Sequence, residues 1–167
     1  MDMRHFFLEQ LEREAVASRK AIARVPEGQN SFKPHPKSME LGLLAALVAT
    51  MPGWVAIMID RDELDLDGDG RSFRTRPVNS RVELIALLDK GLSDSRRALE
   101  NTTEEHLRKP WKLTMGAQVV SYRPRYSSII DGALSHLAHH RGQLTVYLRL
   151  NQASVPAIYG PSADEWQ

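Results

Sequence analysis

Apolar residues recur at spacings of three and four in four long segments of the chain, and this spacing predicts four helices. The first covers about residues 2–24. The second, from Met39 to about Ile59, is apolar almost all round, which predicts burial against several neighbours, and Ser38 is a good N-cap for it. The third begins at Asn79 or Ser80 and runs for about twenty residues. The fourth spans about Ser127 to Leu150.

The segments between these helices are long and polar. Residues 61–78 and the tail at residues 155–161 are predicted to be irregular, and Pro52-Gly53 is predicted to kink the second helix. Val119–Tyr122 is a candidate strand or hairpin arm. Four long helices with little strand signal predict an all-α four-helix bundle, in which at least one connection crosses the bundle.

Composition limits the class of function. The 167 residues suit a single domain, residues 1–167, with 42% hydrophobic and 26% charged residues. A net charge of +1 gives no electrostatic argument for nucleic acid or an anionic membrane. The chain has no cysteine, so any thiol chemistry needs a thiol from a small molecule.

The sequence shows no apolar run near the roughly 18 residues that span a bilayer. The N-terminal residues lack the basic and then apolar pattern of a secretory signal. We therefore expect a cytoplasmic protein.

The strongest chemical signal is His136-Leu-Ala-His-His140-Arg-Gly-Gln143 in the fourth predicted helix. A spacing of four places His136 and His140 on one helix face, where two imidazoles can bind one transition metal. His139 points about 100° away from His140. Leu137 stands where an H-E-x-x-H zinc protease needs its glutamate, so that class is excluded.

Other candidates have plainer alternatives. His35 is either a loop histidine or a ligand or substrate contact at the end of the bundle. Arginines 123, 125 and 141 could bind an anionic group, or they could be ordinary surface residues. Trp54 and Trp111 are interpreted as core or loop-packing residues. Asp65–Gly70 resembles the start of an EF-hand loop, but Arg76 occupies the twelfth position, which indicates a solvated turn instead.

Several separated motifs together resemble the DinB-like family of bacterial four-helix bundles, and the resemblance covers nearly the whole chain in order. The motifs are residues 24–28, 32–39, 51–54, 136–143, 147–149 and 155–164. The resemblance implies up-down-down-up topology and often a homodimer. It also implies a zinc or nickel ion held by three histidines, two of which correspond to His136 and His140. Characterised relatives include bacillithiol S-transferases and a mycothiol-dependent maleylpyruvate isomerase.

The third family histidine lies on the second helix, about nine residues after its Ser-Met start, and that position is Leu47 here. Leucine cannot bind a metal. Two hypotheses follow. Either an altered divalent-metal site survives, with His35, Arg141 or Gln143 as a further ligand or substrate contact and a low-molecular-weight thiol as cosubstrate. Or the chain is a non-catalytic dimeric bundle with a degenerate site, acting as a binding or scaffold module. Gly142 is expected to let the last helix approach a neighbour closely.

Overall fold

The computed structural model describes residues 2–73 and 75–165, with only the backbone of residues 72 and 73. Four long helical segments form, as the apolar spacing predicts. Two of them are interrupted, by a 3-10 turn at Met51–Gly53 and by a π segment at Ile129–Ser135. In chain order the helices are α1 Met3–Ile22, α2 Leu41–Thr50, α3 Trp54–Asp60, α4 Arg81–Asn101, α5 Glu104–Arg108, α6 Arg125–Ser128 and α7 His136–Leu150.

Residue pairs between helices fix their directions. Helices α1 and α4 run antiparallel, because Arg19 pairs with Asp89 near one end and Arg96 pairs with Glu12 towards the other. The same antiparallel order puts the Met3 amide against the Glu104 carboxylate, 2.8 Å away, just beyond the end of α4.

The other two helical segments complete an up-down-down-up arrangement. Gly53 meets Gly91 and the Ala56 amide donates to Ser95 Oγ at 3.1 Å, so α2 and α3 run parallel to α4. Helix α7 runs parallel to α1, since Arg141 lies beside Glu14 while residues 24 and 154 also meet. The four-helix bundle and its topology are therefore as expected.

The second helical segment is the core of the bundle. Leu41–Asp60 is 20 residues long and contains a stretch of 18 residues with a mean hydropathy of 2.0, so the expectation that no apolar run reaches membrane-spanning length is wrong. Of that stretch, 67% is buried inside the protein. It packs against α1, α4 and α7 at once, which explains why it has no polar face. This is the environment of a core helix.

A small sheet covers one end of the bundle, and most of it was not expected. Strand β1 is Glu63–Asp65, β2 is Pro110–Met115 and β3 is Gln118–Pro124. The order is β1-β2-β3, with β1 parallel and β3 antiparallel to β2. The predicted arm at Val119–Tyr122 is confirmed, whereas the fully irregular loop at residues 61–78 is wrong, because β1 and a 3-10 turn at Asp69–Phe73 form there.

The aspartate-rich turn after β1 serves the sheet. The Asp65 carboxylate accepts hydrogen bonds from the amides of Gly116, at 2.8 Å, and Asp67, at 3.0 Å. These bonds hold the pKa of Asp65 below its ordinary value. The carboxylate thus ties the turn to the β2–β3 hairpin, in accord with its interpretation as a turn rather than a calcium loop.

Close approach of two helices depends on glycine at one crossing. A Cβ added at Gly91 would lie 2.9 Å from the Gly53 amide nitrogen, and one at Gly53 would lie 3.1 Å from the Gly91 Cα. Gly142 shows the opposite: a Cβ there would meet nothing within 4 Å. The expectation that Gly142 permits close packing of the last helix is therefore wrong, since this residue faces open space.

We predict opposite effects of alanine at these two glycines. Gly91→Ala should lower the free energy of unfolding by about 2 kcal/mol, because backbone cannot yield to the added methyl group. Gly142→Ala, the matched control, should raise it by up to about 1 kcal/mol, because alanine favours an exposed helix. Chemical denaturation measures both, and equal effects of the two substitutions would contradict the packing described.

Candidate functional site

His136 and His140 lie side by side on α7. Their ring centroids are 4.6 Å apart, and the two Nε2 atoms are 2.9 Å apart. His140 is buried, with 8% exposure, while His136 is partly buried and packs edge-on against Trp54, 5.7 Å between ring centroids. The π segment that precedes α7 ends immediately before His136. Such segments recur at functional sites in helices.

Gln143 fixes the protonation pattern of the pair. Its Oε1 accepts from His140 Nδ1–H at 2.8 Å, which leaves His140 Nε2 as an acceptor for His136 Nε2–H. Burial, and then the neighbouring histidines, lower the pKa of His140, although the bond to Gln143 opposes this shift. The lowered pKa favours the neutral form of His140 at neutral pH, and the two rings share one proton between their Nε2 atoms.

A cavity of about 540 Å³ lies beside the pair, with His136 in its wall. The bundle supplies one side of the wall, including Leu43 and Leu47 from α2 and Trp54 from α3. The small sheet supplies the other side. Its inward-facing residues follow the alternation of a strand: Trp111, Leu113, Ser121 and Arg123.

The donor set does not fit the three-histidine metal centre that the resemblance implies. Two nitrogens on one tetrahedral zinc would lie about 3.3 Å apart, so the histidine pair needs only a small opening. The resemblance places the third histidine at position 47, where this chain has Leu47, an apolar part of the same cavity wall as His136. No group of three histidine, cysteine, aspartate or glutamate side chains that could hold a metal exists among the described residues.

Three residues were expected from the sequence to be further ligands or substrate contacts, and the structure places each of them differently. Gln143 does contact the pair. His35 is exposed, and its Nδ1 accepts from the Lys37 amide at 3.2 Å. It does not belong to the cavity wall.

The Arg141 side chain lies away from the histidines, so the expectation that it contacts metal or substrate is wrong. Its guanidinium is buried, with 1% of the side chain exposed, and points to α1. There it donates to Glu14 Oε2 at 2.6 Å and to Ser18 Oγ at 3.2 Å, and it also bonds Tyr159 from the tail. One residue beyond His140 on a helix faces about 100° away, so Arg141 holds α7 and the tail to α1 instead.

Two tryptophans have a role that sequence reasoning missed. Trp54 and Trp111 were expected only to pack, and both do, but both also line the cavity. The sequence did not show that they share a cavity, because they are 57 positions apart and lie on α3 of the bundle and β2 of the sheet. Only the sheet, which the apolar pattern did not predict, brings Trp111 to the cavity.

Comparison with solved structures identifies the fold. A DinB-like protein from Bacillus cereus superimposes with a TM-score of 0.68 and 21% identity, covering 92% of this chain and 95% of that one. A DinB-like protein from Bacillus subtilis gives 0.63 and 19%, covering 89% and 94%. A candidate DinB-family member from Exiguobacterium sibiricum gives 0.66 and 19%, covering 91% and 93%.

The chain has the DinB-like fold. The resemblance stated from the sequence motifs is thus confirmed for the fold. Among curated proteins, the uncharacterised protein YrdA of Bacillus subtilis is 25% identical over 163 residues, covering 96% of this chain and 90% of YrdA. No protein-family model matches the chain.

Burial of His140, which outweighs its hydrogen bond to Gln143, predicts how the histidine titrates in metal-free protein. In the wild type the His140 pKa should lie below the ordinary value of about 6.5, so the unfolded chain binds more protons and this residue weakens folding as pH falls through that value. Gln143→Glu should raise the His140 pKa, because a carboxylate favours the imidazolium. Nuclear magnetic resonance of the histidine ring protons measures both.

The matched control for this titration is Val146→Glu, which adds the same charge at an exposed position of the same helix. It should leave the His140 pKa nearly unchanged. A wild-type His140 that titrates above the ordinary value would contradict the burial and the shared proton described here.

Proposed function

We propose that this protein is a small-molecule-binding four-helix bundle whose cavity takes a largely apolar ligand, beside a histidine pair that no longer forms a three-histidine metal centre. The observation that carries the proposal is that Leu47 and His136 line the same cavity. A leucine at the third-ligand position extends an apolar wall, where a histidine would converge on the pair. Cavities of this size and lining are typical of small-molecule sites.

The histidine pair supplies the polar edge of this site. With His140 donating to Gln143 and accepting from His136, the pair has its hydrogen bonds satisfied internally. His136 Nδ1 then keeps its lone pair as an acceptor. A ligand can therefore meet an acceptor at this end of the cavity without any rearrangement of the pair.

The competing hypothesis is an altered divalent-metal site, with zinc or nickel and a low-molecular-weight thiol serving a transferase or isomerase. One observation favours it: the two Nε2 atoms converge, as two ligands of one metal would. This hypothesis requires a third metal ligand, and Leu47 cannot supply one. The homodimer and the cytoplasmic location likewise stay predictions, which light scattering of purified protein and fractionation of cells would test.

The ligand-binding proposal predicts uptake of an uncharged apolar probe. N-phenyl-naphthylamine should gain fluorescence on binding the wild type. Leu47→Trp should weaken this binding at least about tenfold, or about 1.4 kcal/mol, because the larger side chain fills the cavity. Val146→Trp, on the exposed face of α7, is the matched control and should bind the probe as the wild type does.

Two results would overturn the proposal. One is a wild type that gives no fluorescence gain. The other is unchanged probe binding by Leu47→Trp while circular dichroism shows that the variant is folded.

Restoring the missing histidine separates the two hypotheses. Leu47→His should raise zinc affinity at least about tenfold over the wild type in calorimetric titration, because it adds the third nitrogen to a converging pair. Leu43→His is the matched control, since it adds a histidine to the same wall one turn earlier and should give a smaller gain. Tight zinc binding by the wild type, lost in His136→Ala/His140→Ala, would instead favour the altered metal site.

A further inference from the structure

Unpartnered hydrogen-bond donors concentrate in one part of the cavity wall. Five buried side-chain nitrogen or oxygen atoms among the described residues have no hydrogen-bond partner, and three belong to residues that line the cavity: Trp111 Nε1, Arg123 Nε and Ser128 Oγ. An unsatisfied buried donor costs about 1–3 kcal/mol. Three of them in one wall need an explanation beyond chance packing.

The sheet register brings two of these donors together. Trp111 on β2 is the direct cross-strand partner of Arg123 on β3. Directly paired residues project from the same face of a sheet with Cβ atoms about 5 Å apart. Ser128 follows on α6, five positions after Arg123 by residue number. Helix α6 packs against both β2 and β3, so the three residues lie in one part of the cavity wall, where the sheet meets the start of the last helical segment.

Arg123 brings the one arginine or lysine charge to the described part of the cavity wall. The Arg123 guanidinium pairs with the exposed Asp131 through Nη1, at 2.6 Å. That contact leaves the edge formed by Nε and Nη2 as the one that can meet a carboxylate through two parallel hydrogen bonds. The described residues that line the cavity include no aspartate or glutamate.

We propose, on the basis of the binding function above, that the natural ligand is a carboxylate with an apolar body, and that Arg123 recognises its head group with help from Trp111 and Ser128. Each of these groups donates a hydrogen bond, and a carboxylate only accepts them. The apolar body lies between Leu43, Leu47 and Leu113. Arg123, with 38% of its side chain exposed, is the member that moves to admit the head group.

Paired probes with the same body test this assignment. Naphthoate and naphthylmethanol differ only in the head group, and calorimetry at neutral pH compares their affinities for the wild type. We expect naphthoate to bind at least about tenfold more tightly, or about 1.4 kcal/mol. Saturation with naphthoate should also shift the indole proton signal of Trp111 downfield, with Trp111→Phe identifying that signal.

Variants locate the source of the preference. Arg123→Met keeps most of the apolar volume and removes the charge, so it should weaken naphthoate binding and remove most of its advantage over naphthylmethanol. Arg97→Met removes an arginine from a comparable exposed ion pair, with Asp94 on α4, and should change neither affinity. Ser128→Ala should weaken naphthoate alone.

The outcomes distinguish this assignment from the proposed function. Equal affinities of the wild type for the two probes would overturn the carboxylate assignment and leave the apolar cavity standing. Failure of both probes, together with failure of the uncharged fluorescent probe, would overturn the binding function itself. A preference for naphthoate that survives in Arg123→Met, with an unmoved Trp111 signal, would place the anion elsewhere and contradict the role of Arg123.

Discussion

The structure depends on burial of one helical segment that has no polar face. Residues 41–60 pack against three other helices, and their contacts include the glycine crossing with α4. Because α2 is apolar on every side, Leu47 packs against the core and also lines the cavity, together with Leu43. The hydrophobic effect that holds the bundle together therefore also determines the character of the site.

This constraint changes what the histidine pair can do. The resemblance places a third metal-binding nitrogen at position 47, where this chain has leucine, and the two imidazoles bond to each other while His140 bonds to Gln143. The lowered pKa of His140 follows from the same apolar surroundings. A pair that is hydrogen-bonded internally beside an apolar cavity suits the ligand-binding function that we propose, whereas a metal centre needs polar groups that converge from several elements.

The buried polar groups of α7 serve two separate purposes. Arg141 and Glu14 form an ion pair between α7 and α1, and Tyr159 joins it, so the tail is held against the bundle. Burial, chiefly, raises the pKa of Tyr159. His140 is one position earlier on the helix, so its side chain points about 100° away from that of Arg141. One helix thus carries a structural pair and a candidate binding pair on different faces, which a reading of residue types alone could not separate.

The helices were predictable from the sequence because their apolar spacing is local and long. The Ser80 cap and the interruption at Pro52 were predictable for the same reason, and the resemblance to DinB-like proteins gave the topology. Apart from the arm at Val119–Tyr122, the sheet was not predictable, since β1 has three residues and its partner β2 begins 45 positions after β1 ends. Arg123 was a candidate for anion binding, but its place beside Trp111 depends on that sheet.

The metal content of untagged protein, as purified, tests the central claim most directly. Elemental analysis should find zinc and nickel far below one atom per chain, because Leu47 leaves the histidine pair without its third ligand. Close to one atom of either metal per chain would contradict the account and would mean that a complete metal centre forms despite Leu47.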